Sequence, residues 1–226
     1  MTKNIIYIII GLLVIGAVWF SFFQKTEKQP AEKNGADNKY ANATMVKNGQ
    51  YKISVPESVS NWEGKKTLIK DYTDRGTIKV KEGTVSVSEG IIMGTIVFDM
   101  TTIQTDSTGK GNGESGLDRH LKSEDFFAVE TFPSATFVIK SAQINASSVN
   151  PFGYLVTGDL TMKDVTNEIE FPADIFVQDG MLKINGTVSI DRTKWNIRYG
   201  SDKFFDNLAN NVIDDFFNMS FSLIAK

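Results

Sequence analysis

The chain has 226 residues, no cysteine, one histidine and a formal net charge of −3. This length fits one large domain or two small ones. The absence of cysteine excludes disulfides, thiolate catalysis, cysteine-based metal sites and a bacterial lipoprotein anchor. Without residues 1–30, which hold three lysines and one glutamate, 21 basic and 26 acidic residues remain, a net charge of −5. No basic surplus therefore points to a nucleic-acid partner.

The chain begins with a long apolar segment. Residues 4–23 are 20 consecutive residues without a charge, enough for a helix to cross a bilayer. A cleaved signal peptide usually has a shorter apolar core that ends in small residues, whereas residues 19–23 are bulky and aromatic. The sequence therefore favours residues 1–25 as a retained transmembrane anchor that places the rest outside the cytoplasm, with a cleaved signal sequence as the alternative.

A polar segment separates this apolar stretch from the main domain. Residues 26–48 are rich in Lys, Glu, Asn, Asp and Ala and show neither helical nor strand periodicity, which predicts a flexible linker. Residues 49–226 are predicted to form a single domain. An exported domain without disulfides depends on its core for stability, and a domain of this size can bury one.

The dominant hydrophobic period after residue 50 is two, the period of a β-strand. Near the end of the chain, for example, Phe217, Met219, Phe221 and Leu223 alternate with polar residues. Turn signals separate many of the strand-like runs: Glu82-Gly83, Glu89-Gly90, Asn150-Pro151 and Asp179-Gly180. The predicted strands are residues 77–80, 84–88, 91–99, 135–140, 154–162, 167–171, 183–190 and 217–223.

Two stretches depart from the strand pattern. Residues 116–128 predict a short helix, and residues 204–209 are a candidate second helical turn. No regular βαβ alternation appears, so about eight closely spaced strands indicate an antiparallel barrel or sandwich. In a closed barrel of this size the apolar faces point inward, and the interior is either filled by side chains or open enough for one small ligand. Periodicity leaves both open.

Three blocks of sequence occur in this order: 118–127 (DRHLKSEDFF) with 131–137 (TFPSATF), 158–166 (GDLTMKDVT), and 190–201 (IDRTKWNIRYGS). Together these blocks resemble the YceI-like family. In the second block Asp164 replaces the glycine that is usual in the family at this turn. The departure is mild, because Asp also tolerates tight turns. Residues 58–64, with Trp62 and Gly64, are similar to the segment that opens the family's barrel. Many relatives carry a histidine shortly afterwards, but residues 70–74 contain none.

The resemblance covers roughly residues 50–226 and implies an extended, lipocalin-like, eight-stranded antiparallel β-barrel. It implies an interior that holds a long-chain amphiphile, such as a polyisoprenoid, an isoprenoid quinone or a fatty-chain amide. It also implies a location in the bacterial periplasm or outside the cell, often as a homodimer. No cofactor is expected other than such a bound lipid.

Phenylalanines crowd the half of the chain that carries these blocks. Phe side chains bury a large area and have no polar group to satisfy, so core packing and a lipid channel explain them equally well. The resemblance favours a channel. The expected lining of its apolar lumen is Phe126, Phe127, Phe132, Phe137, Ile139, Leu160, Ile169, Phe171, Ile190, Trp195, Ile197, Phe204, Phe205, Phe217 and Phe221.

Five polar side chains of the same blocks are expected at the mouth of the barrel: Asp118, Arg119, His120, Arg192 and Arg198. The first three either fix the start of the predicted helix or contact a lipid head group. The two arginines, six positions apart, either bind a polar head group through bidentate hydrogen bonds or form salt bridges at the rim.

The leading prediction is non-catalytic binding, sequestration or transport of an apolar lipid beside the membrane. An envelope enzyme that acts on a lipid or sugar through His120 or aspartates is one alternative. No Gly-x-Ser-x-Gly elbow accompanies His120, and Asp214 and Asp215 would point to opposite faces of a strand. A protein-interaction domain with a solid core is the other alternative.

Overall fold

The computed structural model describes residues 39–106 and 115–226. The anchor predicted over residues 1–25 lies outside the described residues, as does most of the predicted linker. From Lys39 onward, leaving out 107–114, no helix is long and apolar enough to cross a membrane. Residues 42–226 form one compact unit.

Nine strands and one short α-helix make up the described part of this unit. The strands are β1 (Gly49–Lys52), β2 (Val59–Lys65), β3 (Thr73–Ser88), β4 (Ile91–Thr105), β5 (Ser134–Ile144), β6 (Gly153–Met162), β7 (Val165–Gln178), β8 (Met181–Asp191) and β9 (Phe216–Ala225). The helix α1 is Gly116–Lys122, and three single 3₁₀ turns are Val55–Glu57, Arg192–Trp195 and Ala209–Asn211.

Eight of these strands close into an antiparallel barrel. The order runs β3-β2-β9-β8-β7-β6-β5-β4, and β4 pairs with β3 to complete the ring. The first part of β3 pairs with β2, while short β1 pairs with its last part, opposite residues 84–87. The predicted eight-stranded antiparallel barrel is therefore confirmed, with β1 as an addition to one edge.

The predicted turn at Glu82-Gly83 is wrong, because the chain continues through it as the single strand β3. The pairing with β4 shifts register between Thr77 and Lys79 and again between Val80 and Glu82, so bulges bend this long strand rather than end it. A Cβ at Gly83 would lie 2.7 Å from Cγ1 of Ile53. The glycine therefore permits the chain before β2 to pack closely on the strand, which composition alone cannot distinguish from a turn.

The other predicted glycine turns are confirmed. Glu89-Gly90 joins β3 to β4 and Asp179-Gly180 joins β7 to β8, with positive φ at all four residues. Lys163 and Asp164, with φ of 48° and 55°, join β6 to β7 in the same way. Positive φ at both central residues is the geometry that two-residue hairpins favour, and Asp164 adopts it without glycine.

Helix α1 is shorter than the predicted span of residues 116–128. Ser115 caps its first turn, and Asp118 returns the interaction as a capping box. The helix ends at Lys122 because Ser123 has extended backbone geometry, and the following turn buries Phe126 and Phe127 instead. The second helical turn lies at Ala209–Asn211 rather than at residues 204–209.

Candidate functional site

The barrel interior contains a narrow apolar cavity, hereafter the lumen. Its volume is about 80 Å³, roughly half that of the ~150 Å³ apolar cavity that admits one benzene molecule in an engineered lysozyme. Every lining residue is apolar, because strands of period two direct the same parity of positions inward. The lining is Ile78, Ile96, Phe98, Met100, Phe127, Ala135, Phe137, Ile139, Val156, Leu160, Met162, Ile169, Phe171, Ile175, Ile184, Val188, Ile190, Phe217, Met219, Phe221 and Leu223.

A wider cavity, hereafter the vestibule, has a volume of about 320 Å³. Ile78, Phe127 and Phe217 line both cavities, so the two adjoin at these side chains. The vestibule mixes aromatic, aliphatic and polar groups: Trp62, Gly64, Lys65, Lys66, Tyr72, Asp74, Ile103, Leu117, His120, Leu121, Phe126, Arg192, Ile197, Tyr199, Asn211, Ile213 and Asp214 complete its lining. Lys65, Tyr199 and Asn211 are exposed, which places the mouth of the vestibule between them.

The structure brings most of the expected apolar side chains to these cavities. Phe126 and Ile197 line the vestibule only, while Phe132 and Trp195 line neither cavity. Trp195 is buried and donates its indole N–H to the Leu160 carbonyl at 3.0 Å. Nine expected residues line the lumen: Phe127, Phe137, Ile139, Leu160, Ile169, Phe171, Ile190, Phe217 and Phe221.

Phe204 and Phe205 lie outside both cavities, on a surface turn between Arg192 and β9. Their exposed fractions are 44% and 49%. The guanidinium of Arg198 lies 4.7 Å from the ring centroid of Phe204. These two phenylalanines therefore face solvent, not the lumen.

Sequence reasoning did not name twelve of the lumen residues. All twelve lie on strands, and eight of them share parity with an expected residue of the same strand, as Val188 does with Ile190. The other four lie on β3 and β4, where no lumen residue was expected. Aromatic content drew the prediction toward phenylalanine and away from aliphatic positions. The twelve are Ile78, Ile96, Phe98, Met100, Ala135, Val156, Met162, Ile175, Ile184, Val188, Met219 and Leu223.

Of the five polar residues expected at the mouth, His120 and Arg192 line the vestibule. Arg119 is exposed on α1. Arg198 is exposed and donates a hydrogen bond to Asn196 Oδ1 at 3.1 Å. Asp118 is buried at the start of α1, where it accepts hydrogen bonds rather than facing either cavity.

Arg192 is a buried side chain in the vestibule wall that holds several main-chain segments together. Its side chain donates four hydrogen bonds to main-chain carbonyls, those of Asp214, Ile197, Tyr199 and Ile213, at 2.8–3.0 Å. The chain segments on either side of the 198–211 loop are thereby fixed to one guanidinium. Burial lowers the pKa of Arg192, and the neighbouring aspartates, Asp215 first, oppose that shift.

Asp215 balances part of this buried charge. Its Oδ1 lies 3.7 Å from Nη2 of Arg192 without a hydrogen bond, and its Oδ2 lies 2.7 Å from Nζ of Lys203. Burial alone would raise the pKa of Asp215. Lys203, Ser201 and Arg192 lower this pKa by a larger amount, so the net shift is downward. The carboxyl therefore stays ionised at neutral pH.

His120 presents an unpartnered nitrogen in the vestibule wall. Its ring stacks edge-on against Phe126 and Tyr199, with centroid distances of 5.1 and 4.6 Å. Nε2 is buried without a hydrogen-bond partner, and Oδ2 of Asp125 is 3.7 Å away. A buried ring nitrogen in this state can hydrogen-bond a polar group of a ligand.

Asp118 holds α1 against β4. Its two carboxylate oxygens accept from the backbone N–H groups of Thr105 and Ser115, at 2.6 and 2.8 Å. Desolvation raises the pKa of Asp118, but the hydrogen bonds from Ser115 and Thr105 outweigh it and lower the pKa overall. The stabilisation is therefore present above the carboxyl's unfolded-state pKa and is lost as pH falls through the lower folded-state value.

Replacing Asp118 with asparagine is expected to lower the free energy of unfolding by about 1–2 kcal/mol at neutral pH, because one backbone N–H then faces an amide N–H₂. The difference from the parent protein is expected to shrink below about pH 4, where the aspartate of the unfolded chain takes up a proton, and to shrink further as pH falls through the lower folded-state pKa. Urea unfolding at both pH values measures this. The exposed neighbour Asp106, replaced in the same way, is the control and is expected to change little.

Asp214 and Asp215 do not form a carboxylate pair. Across residues 39–106 and 115–226, no group of three or more His, Cys, Asp or Glu side chains could hold a metal ion. Asp214 lines the vestibule, while the adjacent Asp215 packs on Arg192 and Lys203. The two carboxylates thus belong to different environments, as neighbours in an extended segment do.

The sequence of this chain matches a known domain model and several curated proteins. Residues 51–225 match the model of the YceI-like domain. A UPF0312 protein from Staphylococcus aureus (strain USA300) is 37% identical over 92 residues, 36% of this chain and 47% of that protein. One from Yersinia enterocolitica is 37% identical over 67 residues, 30% of this chain and 31% of that protein. The chain thus spans about half or less of the curated relatives it matches.

Two solved structures share the fold. BcnA from Burkholderia cenocepacia superposes with a TM-score of 0.60 at 19% identity, over 77% of this chain and 99% of that one. A polyisoprenoid-binding domain from Saccharophagus degradans gives a TM-score of 0.58 at 13% identity, over 78% and 97%. The match of residues 51–225 to the domain model, supported by the shared barrel, shows that this chain belongs to the YceI-like domain family.

Proposed function

We propose that the barrel binds the apolar chain of a lipid without catalysing a reaction on it. The lipid is an isoprenoid, an isoprenoid quinone or a fatty-chain amide of the bacterial cell envelope. The protein would act in the periplasm or elsewhere outside the cytoplasm, held at the membrane by residues 1–25. The observation that carries the proposal is the wholly apolar lumen joined to a vestibule with a polar side.

The lining supplies the binding energy. Transfer of each CH₂ group out of water contributes about 0.8 kcal/mol, so ten buried carbons contribute about 8 kcal/mol before the entropy cost of association. No polar lumen group would lose a hydrogen bond to such a chain, because every lumen side chain is apolar. The fold shared with a domain described as polyisoprenoid-binding supports the same class of ligand.

The volumes indicate how the lipid would lie. The vestibule, at about 320 Å³, is about twice the benzene-sized cavity and suits roughly two five-carbon units. The lumen, at about 80 Å³, admits a longer chain only if side chains turn aside. Met100, Met162 and Met219 line it, and unbranched methionine can adopt alternative packing at low cost.

The polar end of the lipid is proposed to remain in the vestibule. His120 Nε2 offers the unpartnered hydrogen-bonding atom there, and Lys66, Tyr72 and Asn211 add polar groups near the mouth. The polarity falls from the mouth to the lumen, so an amphiphile has one favourable orientation. A homodimer remains part of the proposal, as the family resemblance implies.

Mass spectrometry tests the proposal. Residues 42–226, which contain every described strand, would be purified without detergent and examined under native conditions, with organic extracts analysed in parallel. We expect a mass increment on the native protein that disappears on denaturation and matches a long-chain lipid in the extract. A folded barrel that neither carries nor takes up any lipid would overturn the proposal.

Replacing His120 with phenylalanine is expected to weaken binding of a lipid with a carbonyl head group by about tenfold, because a hydrogen bond in the vestibule is lost. Binding of a plain hydrocarbon of the same chain length is expected to change little. Competition with a fluorescent fatty-chain probe measures both. Equal weakening for the two ligands would show that His120 acts only through packing.

A further inference from the structure

Three side chains lie where the vestibule meets the lumen. Ile78, Phe127 and Phe217, hereafter the constriction, line both cavities. Ile78 and Phe127 are buried, and Phe217 is half-buried. A lipid chain that extends from the vestibule into the lumen therefore has to pass these three groups.

Phe127 differs from the other two residues of the constriction in the element that carries it. Ile78 lies on β3 and Phe217 lies on β9, and each of these strands pairs with a neighbour on both sides. Phe127 lies in the turn between α1 and β5, outside the barrel strands. Its ring can therefore change position without breaking the strand pairing of the barrel.

Contacts with α1 and with the β6–β7 hairpin hold the turn that carries Phe127. Phe127 donates its N–H to the Leu121 carbonyl at 3.1 Å, and Nζ of Lys163 donates to the Phe126 carbonyl at 2.7 Å. Ala128 has a φ of 46°, a conformation that residues with a side chain rarely adopt and that occurs at ligand clamps and switches. The position of the Phe127 ring thus depends on a strained turn outside the barrel wall.

The cavity volumes indicate how long a chain must be before it meets the constriction. The vestibule, at about 320 Å³, suits roughly two five-carbon units. The lumen, at about 80 Å³, is smaller than the ~150 Å³ cavity that accepts a benzene ring. Carbons beyond about the tenth therefore add apolar contact only after side chains at the constriction have moved.

We propose that Phe127 determines the chain-length specificity of the barrel, because only a chain long enough to displace its ring gains contact with the lumen. This rests on the proposed lipid-binding function and assigns the ligand a chain well beyond about ten carbons. A chain that ends in the vestibule gains nothing from the lumen. A longer chain displaces Phe127 and contacts the apolar lining, so the barrel favours long chains over medium ones.

The test compares full-chain proteins in phospholipid nanodiscs. Phe127→Leu shortens the side chain at the constriction, and Phe217→Leu does the same at a second residue there. The control is Phe137→Leu, because Phe137 is buried and lines the lumen but not the vestibule. Urea unfolding of each variant verifies that it is folded.

The ligands are decanoyl ethanolamide and palmitoyl ethanolamide, which have the same head group and differ in chain length. Each displaces a fluorescent fatty-chain probe, and nanodiscs without protein give the blank. Partition of a ligand into the bilayer is the same for every protein. Affinities are therefore compared between proteins for one ligand at a time.

We expect Phe127→Leu and Phe217→Leu to bind palmitoyl ethanolamide about tenfold more tightly than the parent protein does, because the chain then enters the lumen without displacing a ring. For decanoyl ethanolamide both variants are expected to stay within about threefold of the parent. Phe137→Leu is expected to stay within about threefold for both ligands, since it widens the lumen without opening the passage into it. An equal gain in all three variants, or no gain for palmitoyl ethanolamide at the constriction, would overturn the proposal.

The two proposals fail with different results. Binding of both ethanolamides by the parent, with the same affinities in every variant, would defeat the role of Phe127 and leave lipid binding standing. Displacement of the probe by neither ligand in any of the proteins would defeat lipid binding, and the role of Phe127 with it.

Discussion

Replacing Arg192 with methionine is expected to lower the free energy of unfolding by about 3–5 kcal/mol. Arg192 is 3% exposed, and its guanidinium donates to four main-chain carbonyls, so its removal leaves those acceptors buried without donors. Asp215 would also lose the opposite charge at 3.7 Å. Urea unfolding at neutral pH, followed by tryptophan fluorescence, measures the effect.

Arg198→Met is the matched control for this prediction. Arg198 lies six residues further along, is exposed, and contacts the ring of Phe204 and the side chain of Asn196. Its replacement is expected to change the free energy of unfolding by no more than about 0.5 kcal/mol. A loss below about 1 kcal/mol for the Arg192 variant would contradict its role as the centre that holds the vestibule wall.

Replacing Ala135 with phenylalanine is expected to reduce the lipid carried per barrel by about tenfold or more. Ala135 lines the lumen, whose volume of about 80 Å³ is smaller than the ~150 Å³ cavity that accepts a benzene ring. The added ring therefore occupies space that the lipid chain needs. Excluding two CH₂ groups alone removes about 1.6 kcal/mol of binding free energy.

Ala142→Phe distinguishes blockage from loss of stability. Ala142 is buried on the same strand, β5, but lines neither cavity. Overpacking is expected to cost both variants about 1–3 kcal/mol of stability, whereas lipid content should fall only in the Ala135 variant. Quantification of extracted lipid per folded protein measures the difference. Equal lipid loss in both variants would argue against chain binding in the lumen.

Much of the fold follows from local sequence patterns. Alternation in β9 and the glycine turns at Glu89-Gly90 and Asp179-Gly180 predict strands and hairpins, because strand parity and positive φ are local requirements. Gly83 shows where this fails. In the sequence this glycine predicts a turn, but in the structure it lies within β3 and allows Ile53 to pack closely against the strand. That contact forms only when the barrel closes.

The lumen was partly predictable from the same parity. Phe137, Phe171 and Phe221 each lie at inward positions of a predicted strand, and the structure places them on the lumen wall with ring centroids 5.5–5.7 Å apart. Phe204 and Phe205 have the same composition signal but lie in an irregular segment. In a segment without hydrophobic periodicity, the local sequence does not indicate which side chains face the interior.

The vestibule was the least predictable part. Trp62, Tyr72, His120 and Asn211 come from segments far apart in the chain. Backbone pairing between residues 65–67 and 212–214 brings Asn211 to the others, and Asp118 fixes the helix of His120 to β4. The structural role of Arg192 also depends on carbonyls of residues 197–214. Such contacts arise from barrel closure, which local periodicity does not encode.

A crystal structure of residues 42–226, purified from cells without detergent, tests the central claim most directly. We predict continuous tubular density that runs from the vestibule past Phe127 and Phe217 into the lumen, with Met100, Met162 or Met219 turned away from it. A barrel whose side chains meet across the lumen and whose vestibule holds only water would contradict the account.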